Sequence, residues 1–379
     1  MSAWSASSWR NRALTSRRIT GRSSAAAAAL AVCLAVLCAF PAARTSAKQG
    51  KEATQPVTCG TCHVGVVNSY AHAPMRHAME PVATNPTLLA HPNLTVQQNG
   101  YSYTVQTSNG KSIYTVSDAS GNLSLPIHWV FGQHSQTFVL EKDGKLYESL
   151  VSYYPREQAL ATTPGDQELK PKNLTEAMGR ELSQWESLMC FDCHASGATR
   201  GTHLTLDKLT MGLECERCHQ GAQQHMADAA DDNFKTIPKP LKRMSSGDVL
   251  NFCGQCHRSW ETVVRNHWKG PAYVRFQPYR LQNSRCFAAD DPRISCLACH
   301  DPHQPVNHDQ AFYDKKCLAC HAQTKAAGPA AAPSNAKTCP VAKAKCSTCH
   351  MPRVELPGGH AQFTDHQIRV VHPGDPYPN

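Results

Sequence analysis

Pairs of cysteines two residues apart, each with a histidine directly behind, recur seven times in this 379-residue chain. They are Cys59/Cys62/His63, Cys190/Cys193/His194, Cys215/Cys218/His219, Cys253/Cys256/His257, Cys296/Cys299/His300, Cys317/Cys320/His321 and Cys346/Cys349/His350. Two thiols at this spacing can add across the two vinyl groups of a porphyrin, and the adjacent imidazole becomes the proximal ligand of its iron. Zinc knuckles also use Cys-x-x-Cys, but they do not require a histidine immediately after every pair. With 18 Cys and 20 His in the chain, chance supplies about 0.05 copies of the pattern, so the repetition predicts seven covalently bound haem c groups.

The remaining cysteines are few. Cys33 and Cys38 fall in a segment that reads as a secretion signal over residues 1–47: five arginines from Arg10 to Arg22, an apolar stretch from Ala25 to Phe40, then small residues suited to cleavage. The apolar stretch is shorter than the ~20 residues of a membrane-spanning helix, so cleavage is expected rather than anchoring. Export fits haem attachment outside the bacterial cytoplasm, and the expected location is periplasmic or extracellular. Cys286 and Cys339 would then meet oxidising conditions and either pair or remain two free thiols. Taking the six arginines of residues 1–47 away from the formal charge of +9 leaves +3. Haem propionates push it lower still, so the charge balance gives no support for nucleic-acid binding.

Six of the seven motifs crowd between Cys190 and His350, too little chain for independent haem domains. The fold expected is mainly α with long irregular loops around a stacked multihaem core, plus a small antiparallel β subdomain. The expected divisions are the signal (1–47), a first haem segment (48–94), the β-hairpin subdomain (95–155), a core holding haems two to six (156–321), an Ala/Pro-rich linker (322–338), and the seventh haem with its tail (339–379). Two hairpins are predicted in the subdomain, turning at Asn109-Gly110 and Asp143-Gly144, with the role of a cap over haem one. One helix is predicted from Asn173 to Cys190, capped by Asn173 with Glu176, and another from Ser259 to Trp268.

Seven proximal histidines leave thirteen others, enough to give every iron a second imidazole. Bis-imidazole ligation makes a low-spin, low-potential carrier. His225 and His303 follow their own motifs too closely to reach across the same haem, so each is expected on a neighbouring iron. His77, His134, His360 and His366 are the further distal candidates, and Met75 competes for haem one. Arg275 and Arg280 suit the carboxylates of haem propionates.

On Cys215-Glu-Arg-Cys218-His219-Gln-Gly with His225, on Cys299-His300-Asp301-Pro302-His303, on Cys349-His350-Met351-Pro352 and on the closing His360 to His366, the chain resembles bacterial multihaem cytochromes c of the cytochrome c-554 and doubled Cys-x-x-Cys-His type. It departs at Gln220-Gly221-Ala222, where members often carry Gly-Pro-Gly. The resemblance implies an exported redox protein with closely packed, mainly bis-His haems. The function expected is electron transfer between redox partner proteins or from a membrane quinol-linked donor. The alternative is a multihaem oxidoreductase with one open haem acting on a small nitrogen or sulfur compound, for which His267, Arg275, Tyr279 and Arg280 are the available polar residues.

Overall fold

A computed structural model describes residues 57–322 and 338–378, which belong to one compact unit. The expected signal with Cys33 and Cys38 lies outside the described residues, as does nearly all of the 322–338 linker.

Strands β1 (Met79–Pro81), β2 (Asn93–Gln98), β3 (Tyr101–Ser108), β4 (Lys111–Asp118), β5 (Gly121–Phe131), β6 (Gln136–Lys142), β7 (Lys145–Tyr154), β8 (Ala159–Thr162) and β9 (Gly179–Glu181) form one antiparallel sheet. The order is β2-β3-β4-β5-β6-β7-β8, with β1 beside β5 and β9 beside β7. Asn109-Gly110 turns β3 into β4 and Asp143-Gly144 turns β6 into β7, each pair with positive φ at both residues, the conformation that right-handed strand twist favours in a two-residue loop. Gln98 of β2 receives a hydrogen bond from the Thr162 hydroxyl of β8 at 3.2 Å, so the sheet nearly closes on itself. Tyr103, Val105, Tyr114, Val116, Phe138 and Leu140 fill its interior and are fully buried.

Helices occupy 34% and strands 25% of the structure, which corrects the mainly α expectation. Several motif helices are only a turn long, and the sheet recruits segments whose sequence does not alternate. Register shifts between Ile127 and Trp129 on β5, and between Thr137 and Val139 on β6, turn side chains to both faces. Val130, Phe138 and Leu140 point inward, while Trp129, Phe131 and Val139 build a second apolar cluster outside the sheet.

The helices are α1 (Cys59–Cys62), α2 (Val64–Tyr70), α3 (Pro86–Ala90), α4 (Leu174–Met178), α5 (Gln184–His194), α6 (Cys215–Cys218), α7 (Ala222–Ala230), α8 (Ser246–His257), α9 (Trp260–Arg265), α10 (Gln277–Gln282), α11 (Cys296–Cys299), α12 (Gln310–His321) and α13 (Cys346–His350). Every Cys-x-x-Cys pair sits in a helical turn, where residues three apart share one face. The single helix expected from Asn173 to Cys190 is two. Asn173 does cap α4, accepting from the Glu176 N–H at 3.0 Å, but the helix stops at Met178. Gly179 then enters β9 so close to β7 that a Cβ there would meet the Glu148 carbonyl at 2.1 Å. Ser183 and Glu186 form a new capping box that opens α5. Similarly, α9 ends at Arg265, short of the expected Trp268. Among the described residues no helix is long and apolar enough to cross a membrane.

Candidate functional site

One continuous cavity of 4690 Å³ is lined by all seven proximal histidines and by every motif cysteine except Cys190. A single small-molecule site takes roughly 300–1,000 Å³, so this space suits several large groups in contact. Cys190 belongs instead to the cluster beneath the cavity, beside Phe191.

Within the cavity, histidines face one another in pairs. The His63 and His225 ring centroids lie 6.4 Å apart, His219 and His303 5.9 Å, and His300 and His366 6.2 Å. A metal–nitrogen bond of about 2 Å places an imidazole centroid about 3 Å from the metal, so two axial rings on one iron sit about 6 Å apart. All three pairs have this spacing, and each joins a proximal histidine to one from elsewhere in the chain. Gly221, at φ +88, makes the turn that leads His219 into α7, so Gln-Gly-Ala serves in place of Gly-Pro-Gly and still delivers His225 to His63. Among the described residues no group of three or more His, Cys, Asp or Glu side chains gathers around one point. Pairs are the arrangement a porphyrin iron needs, since its ring nitrogens fill the other positions.

The outer nitrogens reinforce this fit. A metal-ligating histidine ordinarily donates its second ring N–H to a carbonyl or carboxylate, which fixes the tautomer and aims the free nitrogen at the metal. The Nδ1 atoms of His225, His303 and His366 lie 2.6 Å from the Thr236 carbonyl, 2.9 Å from the Asp301 carboxylate and 2.9 Å from the Thr364 carbonyl. The proximal His194 and His350 do the same with the Ala78 and Arg369 carbonyls at 2.7 and 2.9 Å. Burial favours the neutral ring, lowering His194, His219, His257 and His300 and pushing His366 down to about 4. Neutral imidazole is the form that binds metal.

The other distal candidates are placed differently. His77 has both ring nitrogens engaged, Nδ1 with Glu80 at 3.0 Å and Nε2 with the Ala71 carbonyl at 2.7 Å. It does not line the cavity, and neither ring nitrogen is left for a metal. His360 is exposed and packs against Tyr154, centroids 4.7 Å apart. His134 lines the cavity beside Phe363 at 5.3 Å, and burial lowers its pKa. Met75 lines it too, as do His308 and His372, neither of which is among the distal candidates. Cys286 and Cys339 are both free thiols on the cavity wall. Arg280 is not available to a propionate: its guanidinium is buried and forms a two-pronged pair with Asp365, 2.8 Å on each arm.

Several residues that position these groups have no local sequence signal. Asp365 holds Arg280 and Arg369, while Ser284 donates to the His366 carbonyl at 2.9 Å. The Arg280 and Ser284 bonds cross more than 80 residues, and together with Arg369 they pin His366 opposite His300. Phe191 of α5 is wedged edge-on between Trp129 and Phe131, centroids 5.1 and 5.2 Å away, and the His194 ring stacks on Phe131 at 5.0 Å. The sheet thus seats haem motif two. Asp314 of α12 accepts from the backbone N–H groups of Lys345 and Cys346 at 2.6 and 2.8 Å, docking α13 onto α12.

Neighbouring motifs touch in sequence and across it. Helix α5 packs on α8, α8 on α11, α11 on α12, and α12 on α13. The Cys193 thiol lies 3.9 Å from the Gln255 carbonyl of the fourth motif. Arg217 of the third motif pairs with Asp192 of the second at 2.8 Å, and the Tyr70 hydroxyl behind the first motif donates to the Leu213 carbonyl ahead of the third at 2.9 Å.

No curated protein and no solved structure matches the chain. A family model described as cytochrome c554 and c-prime matches residues 151–220, the stretch that carries the second and third motifs. The match supports a c-type cytochrome with covalently bound haem c and a haem-based role in electron transfer.

Proposed function

We propose that the chain is an exported heptahaem cytochrome c that relays electrons between redox partners through one connected set of mostly bis-His haems. The observation that carries this reading is the set of three imidazole pairs at axial spacing on the wall of a cavity that all seven proximal histidines share. Haem iron supplies the one-electron chemistry when bound. The chain supplies the axial rings, their orientation through the Nδ1 bonds, and the close packing of one motif on the next.

The contacts between motifs give the relay a shape. Motifs one and three meet through the His63–His225 pair, three and two through Arg217–Asp192, and two and four through α5 and α8. From four the path runs through five and six to seven along α8, α11, α12 and α13. The His219–His303 pair also joins three to five directly, so the two arms meet at more than one point. The expected location is periplasmic or extracellular, with the donor or acceptor a redox protein or a quinol-linked membrane enzyme.

Low-temperature EPR of the ferric holoprotein, matured in a host with c-type attachment machinery, tests the carrier role. Low-spin signals unchanged by nitrite or hydroxylamine support it. A high-spin signal that shifts on adding either compound sinks it in favour of an oxidoreductase with an open iron.

A further inference from the structure

Arg275 closes the short helical segment Pro271–Arg275 and lies over the Phe276 ring, 5.5 Å from its centroid. Its Nε is buried and has no hydrogen-bond partner among the described residues. Two residues on, the Gln277 Oε1 is likewise buried and unpartnered. Both side chains line the haem cavity. Burial first, and then repulsion from Arg258, the residue after the proximal His257, disfavour the Arg275 charge. Glu148, which partly compensates it, is already held by Arg180 at 2.7 Å. A buried guanidinium with an unsatisfied donor is costly unless an anion completes it. Turned about its last torsion, the Gln277 amide presents an N–H at its own unpartnered position on the same cavity wall.

We infer that Arg275 and Gln277 form a cradle for one carboxylate or similar oxyanion on the cavity wall that both of them line. The inference rests on the haem reading above. The shared chemistry has two sources: a propionate of a haem in the cavity, or a free small oxyanion. The cavity that Arg275 lines is the one shared by the proximal histidines, which favours the propionate. Arg258 and Arg275 would then raise the potential of that haem, because positive charge beside an iron favours its reduced form.

The test uses the holoprotein with haem content checked by mass, so that loss of haem attachment is distinguished from failure of the cradle. Spectroelectrochemical titration of Arg275→Gln is expected to move one or two midpoints to more negative values and leave the rest in place. Arg275→Lys, which keeps the charge, should move them less, and Gln277→Leu should shift the same midpoints by a smaller step. If the source is a propionate, added sulfite or acetate leaves the wild-type midpoints unchanged. If it is a free oxyanion, sulfite shifts the wild type and not Arg275→Gln. Midpoints equal to wild type in Arg275→Gln and Gln277→Leu at full haem content, with no response to either anion, overturn the cradle. Should Arg275→Gln not mature, Arg275→Lys and Gln277→Leu decide by the same criteria.

Discussion

His303 faces His219 with ring centroids 5.9 Å apart and ring planes within 10° of parallel, while Asp301 holds the other side of the His303 ring at 2.9 Å. On the proposed reading, the fifth motif would hand a ligand to the haem of the third. Replacing His303 by Ala should convert one low-spin ferric signal to high-spin and create one site for cyanide. An unchanged EPR spectrum would show that this ring is not on an iron. Asp301→Ala keeps the ring but frees its orientation, and should change metal affinity or ligand exchange by about 10- to 100-fold.

Phe191 links the sheet to haem motif two. It is fully buried between Trp129 and Phe131. Phe191→Ala should cost about 3–5 kcal/mol, read by chemical denaturation of the holoprotein. Because His194 stacks on Phe131, the same variant should perturb the spectrum of one haem more than the others.

Asp365 and Arg280 tie the strap bearing His366 to α10. Removing one member of a buried charge pair leaves the other uncompensated and typically costs about 3–5 kcal/mol. Burial alone would raise the Asp365 carboxyl, but Arg280, the Gln367 N–H and Arg369 outweigh it and hold it below its ordinary value. Arg280→Met should therefore lower stability by that order and loosen the His366–His300 pair, which on the proposed reading is seen as partial high-spin conversion. A variant with wild-type melting and wild-type EPR would show that the pair does not position His366.

Much of this was legible in the chain and some was not, for physical reasons. The haem motifs and the two Asx-Gly turns are local patterns, so they can be read directly. His225 and His303 stand close behind motifs, which makes them candidates for a neighbouring iron; the approach of His366 to His300 has no such local signal. The full sheet could not be read because β1 and β9 are three-residue strands, and because β5 and β6 bury both faces and lose their alternation. The helical periodicity from Leu174 to Met189 runs straight through Gly179, and only the approach of Glu148 breaks it. His77 looked free as a ligand because Glu80 and Ala71 close on it through a turn that the sequence does not announce. Arg280 looked free because Asp365 lies 85 residues away.

Asp314 joins the last two motif helices and sets an acid sensitivity. The backbone N–H of Cys346 is the main influence holding its carboxyl below the ordinary value; burial opposes it, and Lys345 N–H adds to it. A depressed folded-state value means the stabilisation is complete above the unfolded carboxylate range, about 3.9, and is lost as pH falls through the folded value. Asp314→Ala should cost about 1 kcal/mol at neutral pH, as loss of a helix cap does, and should flatten the acid limb of the stability profile. An acid limb identical to wild type would rule out this contribution.

The most direct test of the account is the mass of the mature, denatured protein after expression with the c-type attachment machinery. Seven covalently attached haem groups on the processed chain are expected. A correctly matured protein carrying none, or metal without porphyrin, would contradict the reading from its first step.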